Sequence, residues 1–148
     1  MGPCELKRGN ERGCGVLGQW VLQLMELEER SFSMSCHFKN YEDDFCWSFT
    51  RVYGPTLKVE REGFWSELGA VRGFWSDLWC VVDNFNMIRF PSERSKGGHL
   101  SLAMRRFSEV IEDLELRDLP LQGGLFTWSG GLNNCYKSRI DRFLISKD

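Results

Sequence analysis

The strictest constraint on the fold of this chain is a change in the spacing of its apolar residues. Over residues 32–38 apolar and polar residues alternate, which predicts a β-strand with one half-buried face. That face is formed by Phe32, Met34, Cys36 and Phe38. His37 falls on the opposite, polar face, so we expect it in solvent and not as a metal ligand. Over residues 101–116 the apolar residues recur at helical spacing, which predicts an amphipathic helix.

The order of such segments predicts a mixed α/β fold, because strands and helices alternate along the chain. The predicted order is β-β-α-β-α-β-β, over residues 32–38, 45–53, 56–73, 79–90, 101–116, 125–129 and 139–146. Residues 20–30 fit either a short helix or an edge strand, and periodicity does not decide between them. Residues 1–18 are Gly-rich and charged and are expected to form a loose leader, followed by one domain over residues 19–148.

Composition limits the class of protein. With 148 residues, 42% hydrophobic and 27% charged, the chain has the make-up of one globular domain. A net charge of -2 excludes a generally basic protein that coats nucleic acid, though not a local basic face. Charged residues interrupt the N-terminal segment and every apolar run is short, so neither a signal peptide nor a membrane span is expected. We therefore expect an intracellular protein, nuclear or cytoplasmic, with no membrane partner and no small-molecule cofactor.

The cysteines and histidines do not form a metal-binding motif in the sequence. The six cysteines are too far apart for a C-x-x-C pair, and His37 and His99 are scattered. We expect reduced, mostly buried thiols and no metal site built from these residues.

Two apolar strands carry polar residues where chemistry could occur. The first ends in Asp83-Asn84-Phe85-Asn86, and Asp141 interrupts the second. A carboxylate within a buried strand is costly unless it is paired or faces a site. Capping and turn formation by Asp and Asn explain the same pattern about equally well.

The segment from Phe126 to Arg139 places an aromatic platform beside basic residues. Thr127 and Trp128 are followed by a Gly/Asn turn and then by Lys137 and Arg139. Such a platform can stack on nucleic-acid bases and hold phosphates. Ordinary hairpin packing with a solvated turn is at least as good an explanation from composition alone.

The order of these motifs resembles the endonuclease/exonuclease/phosphatase family, most closely the endonuclease domain of plant LINE-type (non-LTR) retrotransposons. The resemblance covers about residues 20–148. It is carried by Val52-Tyr53-Gly54-Pro55, Asn84-Phe85-Asn86, Phe90-Pro91-Ser92-Glu93-Arg94, Asp118-Leu119-Pro120, Phe126-Thr127-Trp128-Ser129 and Arg139-Ile140-Asp141-Arg142-Phe143-Leu144. It implies a two-sheet α/β sandwich, here a partial one, that cleaves phosphodiesters in DNA with Mg²⁺.

The resemblance also implies roles for single residues. Tyr53 would contact the scissile phosphate, and Asn86 would position it. The Gly-Asp-Phe-Asn motif of the family falls on residues 83–86, so Asn84 stands where the family has the Asp that activates water. Asp141 would orient the catalytic His, while Thr127 and Trp128 would contact DNA.

The departures from the family pattern point to a truncated, degenerate domain. The motif that supplies a metal-binding Glu has no counterpart in residues 1–50, and a C-terminal Ser-Asp-His is absent. The sequence thus predicts the remnant of an Mg²⁺-dependent DNA endonuclease without catalytic activity, and it leaves enzyme status open. One alternative is a non-catalytic nucleic-acid-binding or scaffold module that uses Trp128, Lys137 and Arg139 and binds DNA weakly. A third is a reading frame with no functional product.

Overall fold

A six-stranded sheet with both helices on one side forms the centre of the structure. The computed structural model describes residues 22–131, 133 and 135–147, so the expected leader over residues 1–18 lies outside the described residues. The elements are, in chain order, β1 (Leu22–Glu29), β2 (Ser33–Asn40), β3 (Cys46–Tyr53), α1 (Arg61–Arg72), β4 (Leu78–Asn84), α2 (Leu102–Asp113), β5 (Leu116–Asp118), β6 (Trp128–Gly130), β7 (Tyr136–Ser138) and β8 (Asp141–Ser146).

The strands form two sheets. The main sheet has the order β1-β2-β3-β4-β8-β5, and β6 pairs with β7 in a small second sheet. Only β3 and β4 run parallel within the described strands, and α1 connects them. The mixed α/β class with sheets and two helices is therefore confirmed. The element order is richer than predicted, because the short strands β5 and β7 carry too few residues to show a period in the sequence.

Residues 20–30, which fitted either a short helix or an edge strand, contain the strand β1. β1 pairs with β2 in antiparallel register and forms one edge of the main sheet. Its ladder is irregular between Leu24 and Glu26, which explains why alternation along the sequence is imperfect there.

Both helices bury the apolar stripes that their spacing predicts. The N-cap of α2 is Ser101, whose hydroxyl accepts a hydrogen bond from the amide of Met104 at 3.2 Å. The helices contribute to one core with the facing side of the sheet. Its buried members are Val52, Phe64, Trp65, Leu68, Val71, Trp79, Val81, Phe85, Met87, Phe107, Val110, Ile111, Leu116 and Leu144.

The side of β2 that the helices cover is the polar one, contrary to the sequence-based prediction. Ser33 and Ser35 are buried, and so are Ser48 and Thr50 on β3. Each hydroxyl has a hydrogen-bond partner: Ser35 and Thr50 meet at 2.8 Å, and the indole of Trp79 donates to Thr50 at 2.9 Å. Small hydroxyl side chains leave room for that large indole, so the polar side of the hairpin fits beneath the helices. We call this side of the main sheet the covered face.

The opposite side of the sheet carries the apolar residues of the hairpin, and we call it the open face. Met34 is exposed, while Cys36 and Phe38 are half-buried. Phe32 lies before β2 and packs instead on the covered side, with its ring centroid 5.5 Å from that of Phe64. By register the apolar residues of the open face are Leu24, Leu27, Met34, Cys36, Phe38, Trp47, Phe49, Leu78, Cys80, Val82, Phe143 and Ile145.

None of the described helices has the length and apolar character needed to cross a membrane. The cysteines within the described part of the chain form no disulfide with one another.

Candidate functional site

Three of the predicted site residues meet at one end of the main sheet. Tyr53 is the last residue of β3, Asn84 is the last of β4, and Asp141 is the first of β8. In the ladder Asn84 pairs with Tyr53 on one side and with Asp141 on the other. The side chain of Tyr53 is largely exposed, at 68%. The strand ends therefore bring these residues together at one edge of the sheet.

The loops after β3 and β4 are joined by a closed set of hydrogen bonds. Asn84 Oδ1 accepts from the amide of Asn86 at 2.7 Å, which forms a tight turn. Asn86 Nδ2 then donates to the carbonyl of Gly54 at 2.6 Å, and the Gly54 amide donates to the carbonyl of Asn84 at 2.8 Å. A Cβ atom on Gly54 would lie 2.3 Å from the carbonyl oxygen of Phe85, so only glycine fits here. The Val-Tyr-Gly-Pro and Asn-Phe-Asn motifs thus form one rigid unit.

Asp83 adopts a backbone conformation that favours glycine. Its φ is +95°. A side chain in this region of φ is strained. By register Asp83 is the partner of Val52 on the covered face, yet its carboxylate accepts from Arg51 Nη2 at 2.7 Å, toward the open face. The sequence alone did not identify this strained residue beside the site.

Thr127 positions the start of β8. Its hydroxyl accepts from the amides of Ile140 at 2.9 Å and Asp141 at 3.1 Å. The Thr127 amide donates to the carbonyl of Ser138 at 2.9 Å, which ties it to the small second sheet. Thr127 therefore fixes Asp141 relative to the β6–β7 hairpin, a structural role whatever else it contacts.

Trp128 and Lys137 lie on the two strands of the β6–β7 hairpin, one register position apart, so their side chains leave opposite faces of this small sheet. Trp128 is 47% exposed, and Lys137 is exposed on the facing strand. Lys96, from the loop between β4 and α2, reaches this hairpin, and its Nζ lies 5.1 Å from the centre of the Tyr136 ring. A shallow cleft here is lined by Leu125, Phe126, Thr127, Trp128, Ser129 and Lys137. We call it the hairpin cleft.

Arg139 lies inside the protein, in a network of arginines and carboxylates. Only 14% of its side chain is exposed, and it donates to Asp118 at 3.2 Å and to the Leu119 carbonyl at 2.8 Å. Arg142, fully buried, binds both Asp118 and Glu93. The guanidinium of Arg139 therefore faces carboxylates and not solvent. A contact between Arg139 and DNA stays a prediction. The network could not be recognised in the sequence, because its members come from three separate segments.

The residues at this end of the sheet offer a magnesium ion the minimum number of carboxylates. Mg²⁺ is usually held through one or two carboxylates with several waters. Within the described chain the donors at this position are the Asp141 carboxylate and the amide oxygens of Asn84 and Asn86, and Asn84 Oδ1 already accepts a hydrogen bond. The nearby Asp83 carboxylate is paired with Arg51. This donor set offers one carboxylate and neutral amides, so no step is assigned to a bound metal.

No protein-family model and no curated protein matches the sequence. Solved structures do match. The endonuclease domain of TRAS1, a telomere-specific non-LTR retrotransposon, aligns with a TM-score of 0.69 and 11% identity, over 86% of this chain and 57% of that one. The human Nocturnin catalytic domain aligns with a TM-score of 0.50 and 14% identity, over 86% of this chain and 49% of that one.

A third match, at a TM-score of 0.46, is an endonuclease/exonuclease/phosphatase family protein from Bacteroides thetaiotaomicron, with 14% identity over 77% of this chain and 41% of that one. The neighbours share the endonuclease/exonuclease/phosphatase fold, and one is a retrotransposon endonuclease domain. The described chain has that fold, and it spans 57% of the TRAS1 domain.

Proposed function

We propose that this chain is a DNA-binding portion of a retrotransposon endonuclease domain of the plant LINE type, descended from an Mg²⁺-dependent enzyme and unable to cleave DNA. The likeness to the TRAS1 endonuclease domain supports the fold and the class of substrate. One observation carries the loss of activity: Asn84, not an acid, stands opposite Asp141 at the end of β4.

The chemistry of the amide supports this proposal. Asn has nearly the shape of Asp but cannot take a proton from water and carries no negative charge. A positioned general base contributes about 10²–10⁴-fold to a rate. The amide also leaves Asp141 as the one carboxylate of this donor set, since Asp83 is paired with Arg51, and this is the minimum with which Mg²⁺ is held.

The hairpin cleft supports binding without cleavage. An exposed indole can stack on a base, and stacking on an aromatic side chain contributes about 1–3 kcal/mol per base. Lys137 can neutralise one phosphate. In this proposal Arg139 acts from within the network and holds the hairpin in place. The net charge of -2 for the whole chain keeps the expected affinity low.

The test of inactivity uses supercoiled plasmid with Mg²⁺ or Mn²⁺. We expect no nicking by the purified chain, and Asn84→Asp alone is not expected to create it, because one restored acid still lacks partners. Metal-dependent nicking that EDTA stops and that Asn86→Ala abolishes would contradict the proposal.

The test of binding uses a labelled DNA duplex titrated at several salt concentrations. We expect weak binding that Trp128→Ala weakens further, and a log–log salt slope that falls by about 1 in Lys137→Ala. Lys147→Ala is the matched control, since Lys147 follows the far end of β8 and pairs with Glu112. Absence of any salt-dependent binding would leave the reading frame without a supported function.

A further inference from the structure

Three metal-ligating side chains converge at the end of the main sheet opposite the candidate site. His37 comes from β2, Cys46 is the first residue of β3, and Asp77 directly precedes β4. One ligand atom from each lies within 4.8 Å of the others. They are brought together by pairing of the strands and not by spacing along the chain, which is why the sequence indicated no metal site.

The distances are close to those of a bound metal. Zn–N bonds of about 2.0–2.1 Å and Zn–S bonds of about 2.3 Å, at tetrahedral angles, place neighbouring ligand atoms about 3.5 Å apart. His37 Nε2 and Asp77 Oδ2 now lie 2.7 Å apart in a hydrogen bond, and the set fits within 4.8 Å. Small changes of side-chain torsion would bring all three ligand atoms onto one ion.

The donor types select among metals. Imidazole nitrogen and thiolate sulfur suit Zn²⁺, whereas Mg²⁺ and Ca²⁺ prefer oxygen. Three protein ligands leave a fourth tetrahedral position for water or another ligand. We infer that His37, Cys46 and Asp77 form a binding site for Zn²⁺ or a similar borderline-soft divalent ion.

Neighbouring residues hold the imidazole in place. The ring of His37 stacks on Trp75 with a centroid distance of 5.1 Å and an angle of 12°, and the Trp75 indole donates to Glu26 at 2.6 Å. Stacking restricts the rotamers of the imidazole, so less side-chain entropy is lost when the ring binds an ion. The imidazole is largely shielded, with 15% of its side chain exposed, while Asp77 is 33% exposed. A cleft lined by Asp44, Phe45, Cys46, Ser76, Asp77 and Leu78 gives an ion access.

This site is separate from the one proposed for DNA. Cys46 begins β3 and Tyr53 ends it, so the rise of a strand places the two ends about 23 Å apart. The metal site therefore neither depends on the proposed function nor lends it catalytic chemistry.

The experiment is a Co²⁺ titration of the full chain under a phosphine reductant, because a Co²⁺–thiolate bond gives a charge-transfer absorption band. We expect such a band, its displacement by Zn²⁺, and a higher Tm with Zn²⁺ bound. Cys46→Ser should abolish the band, and Asp77→Asn should weaken binding by at least about tenfold.

Cys36→Ser is the matched control, since Cys36 lies on the neighbouring strand and on the other side of the sheet. Far-ultraviolet circular dichroism of metal-free Cys46→Ser checks that this variant folds. If Cys46→Ser does not fold, the loss of Co²⁺ affinity in Asp77→Asn tests the site instead. Two results would overturn the inference: no band in the unmodified chain, or a band of unchanged strength in both variants. They would indicate that the His37–Asp77 pair only anchors the loop before β4.

Discussion

The covered face and the open face of the main sheet show opposite relations between local pattern and burial. On β2 and β3 the covered face is built from hydroxyl side chains, while the open face carries methionine, cysteine and aromatic rings. A row of Leu27, Cys36, Phe49, Cys80 and Ile145 crosses the open face from β1 to β8. Polar and apolar residues do alternate along these strands, but the alternation does not determine which side of the sheet the helices cover.

Chain connectivity decides that question. β3 and β4 are parallel neighbours, so the crossover through α1 is expected to be right-handed and to pack on one particular side of the sheet. Helix α2 packs on the same side, through Phe107, against Trp65 and Phe85 of the same core. The hydroxyls of the hairpin are buried because the helices arrive there, and they are tolerated because each finds a partner.

The largest expected difference between the two faces is in the free energy of unfolding lost when a phenylalanine is replaced by alanine. Phe107→Ala removes a fully buried ring of α2 from the layer that packs on the covered face and should cost about 3–5 kcal/mol of unfolding free energy. Phe49→Ala on the open face should cost only about 1–2 kcal/mol, because its ring is already partly in water. Urea unfolding of both variants measures the difference. Equal losses would mean that another layer covers the open face in solution.

The next largest effect is expected from removing the Thr50 hydroxyl, and the sign of the change in unfolding free energy shows whether that hydroxyl is buried. Thr50→Val leaves the Trp79 indole N–H and the Ser35 hydroxyl without their partner and should destabilise by about 1–3 kcal/mol. Had the hydroxyl face been exposed, as the sequence suggested, valine would be neutral or stabilising in a strand. The double variant Ser35→Ala/Thr50→Val should still be less stable than the original chain, since the indole stays unpaired. A stabilised single variant would contradict this description of the covered face.

A smaller effect is expected at Asp83, which belongs by register to the covered face but pairs with Arg51 on the open face. Asp83→Gly relieves its positive φ and should stabilise the chain by about 1 kcal/mol, since the exposed ion pair with Arg51 contributes little. Asp83→Ala keeps the strain and loses the ion pair, so it should not stabilise. Thermal unfolding of the two variants side by side separates backbone strain from charge. An equal gain from alanine would show that the strain is not the cause.

The smallest effect is the pH response of the open-face thiols. Burial raises the pKa of Cys36 and of Cys80 above the ordinary thiol value of 9.0. The folded chain then holds these protons more tightly than the unfolded chain, so stability should decline as pH rises from about 9 through the raised pKa values. Urea midpoints between pH 8 and pH 10, compared with those of Cys36→Ser, measure the decline. A decline that is unchanged in Cys36→Ser and in Cys80→Ser would assign it to other groups.

The sequence predicted what depends on short spacing. The apolar stripe of α1, with Phe64, Trp65 and Leu68, is buried as predicted, and the two strands of the hairpin are where alternation placed them. The strand ends also bring Asn84 and Asp141 together.

Features that depend on tertiary arrangement could not be predicted. The side of β2 that is buried follows from a helix twenty residues further on, and His37 meets Cys46 and Asp77 only through strand pairing. Arg139 follows a hairpin turn and looks solvated in the sequence, yet Asp118 from another strand binds it. In each case the deciding partner is remote along the chain.

The position of β8 between β4 and β5 has a consequence for how the chain acquires its structure during synthesis. The last of the described strands to leave the ribosome inserts between β4 and the edge strand β5, and the Ser146 hydroxyl accepts a hydrogen bond from the amide of Trp79, 67 residues earlier. Until then β4 presents an unpaired edge and a nascent apolar surface. Contacts that span such distances carry a large loop-closure entropy and form slowly. The β4–β8–β5 part of the sheet can therefore assemble only after translation of nearly all the described chain, and until then the open edge of β4 favours aggregation.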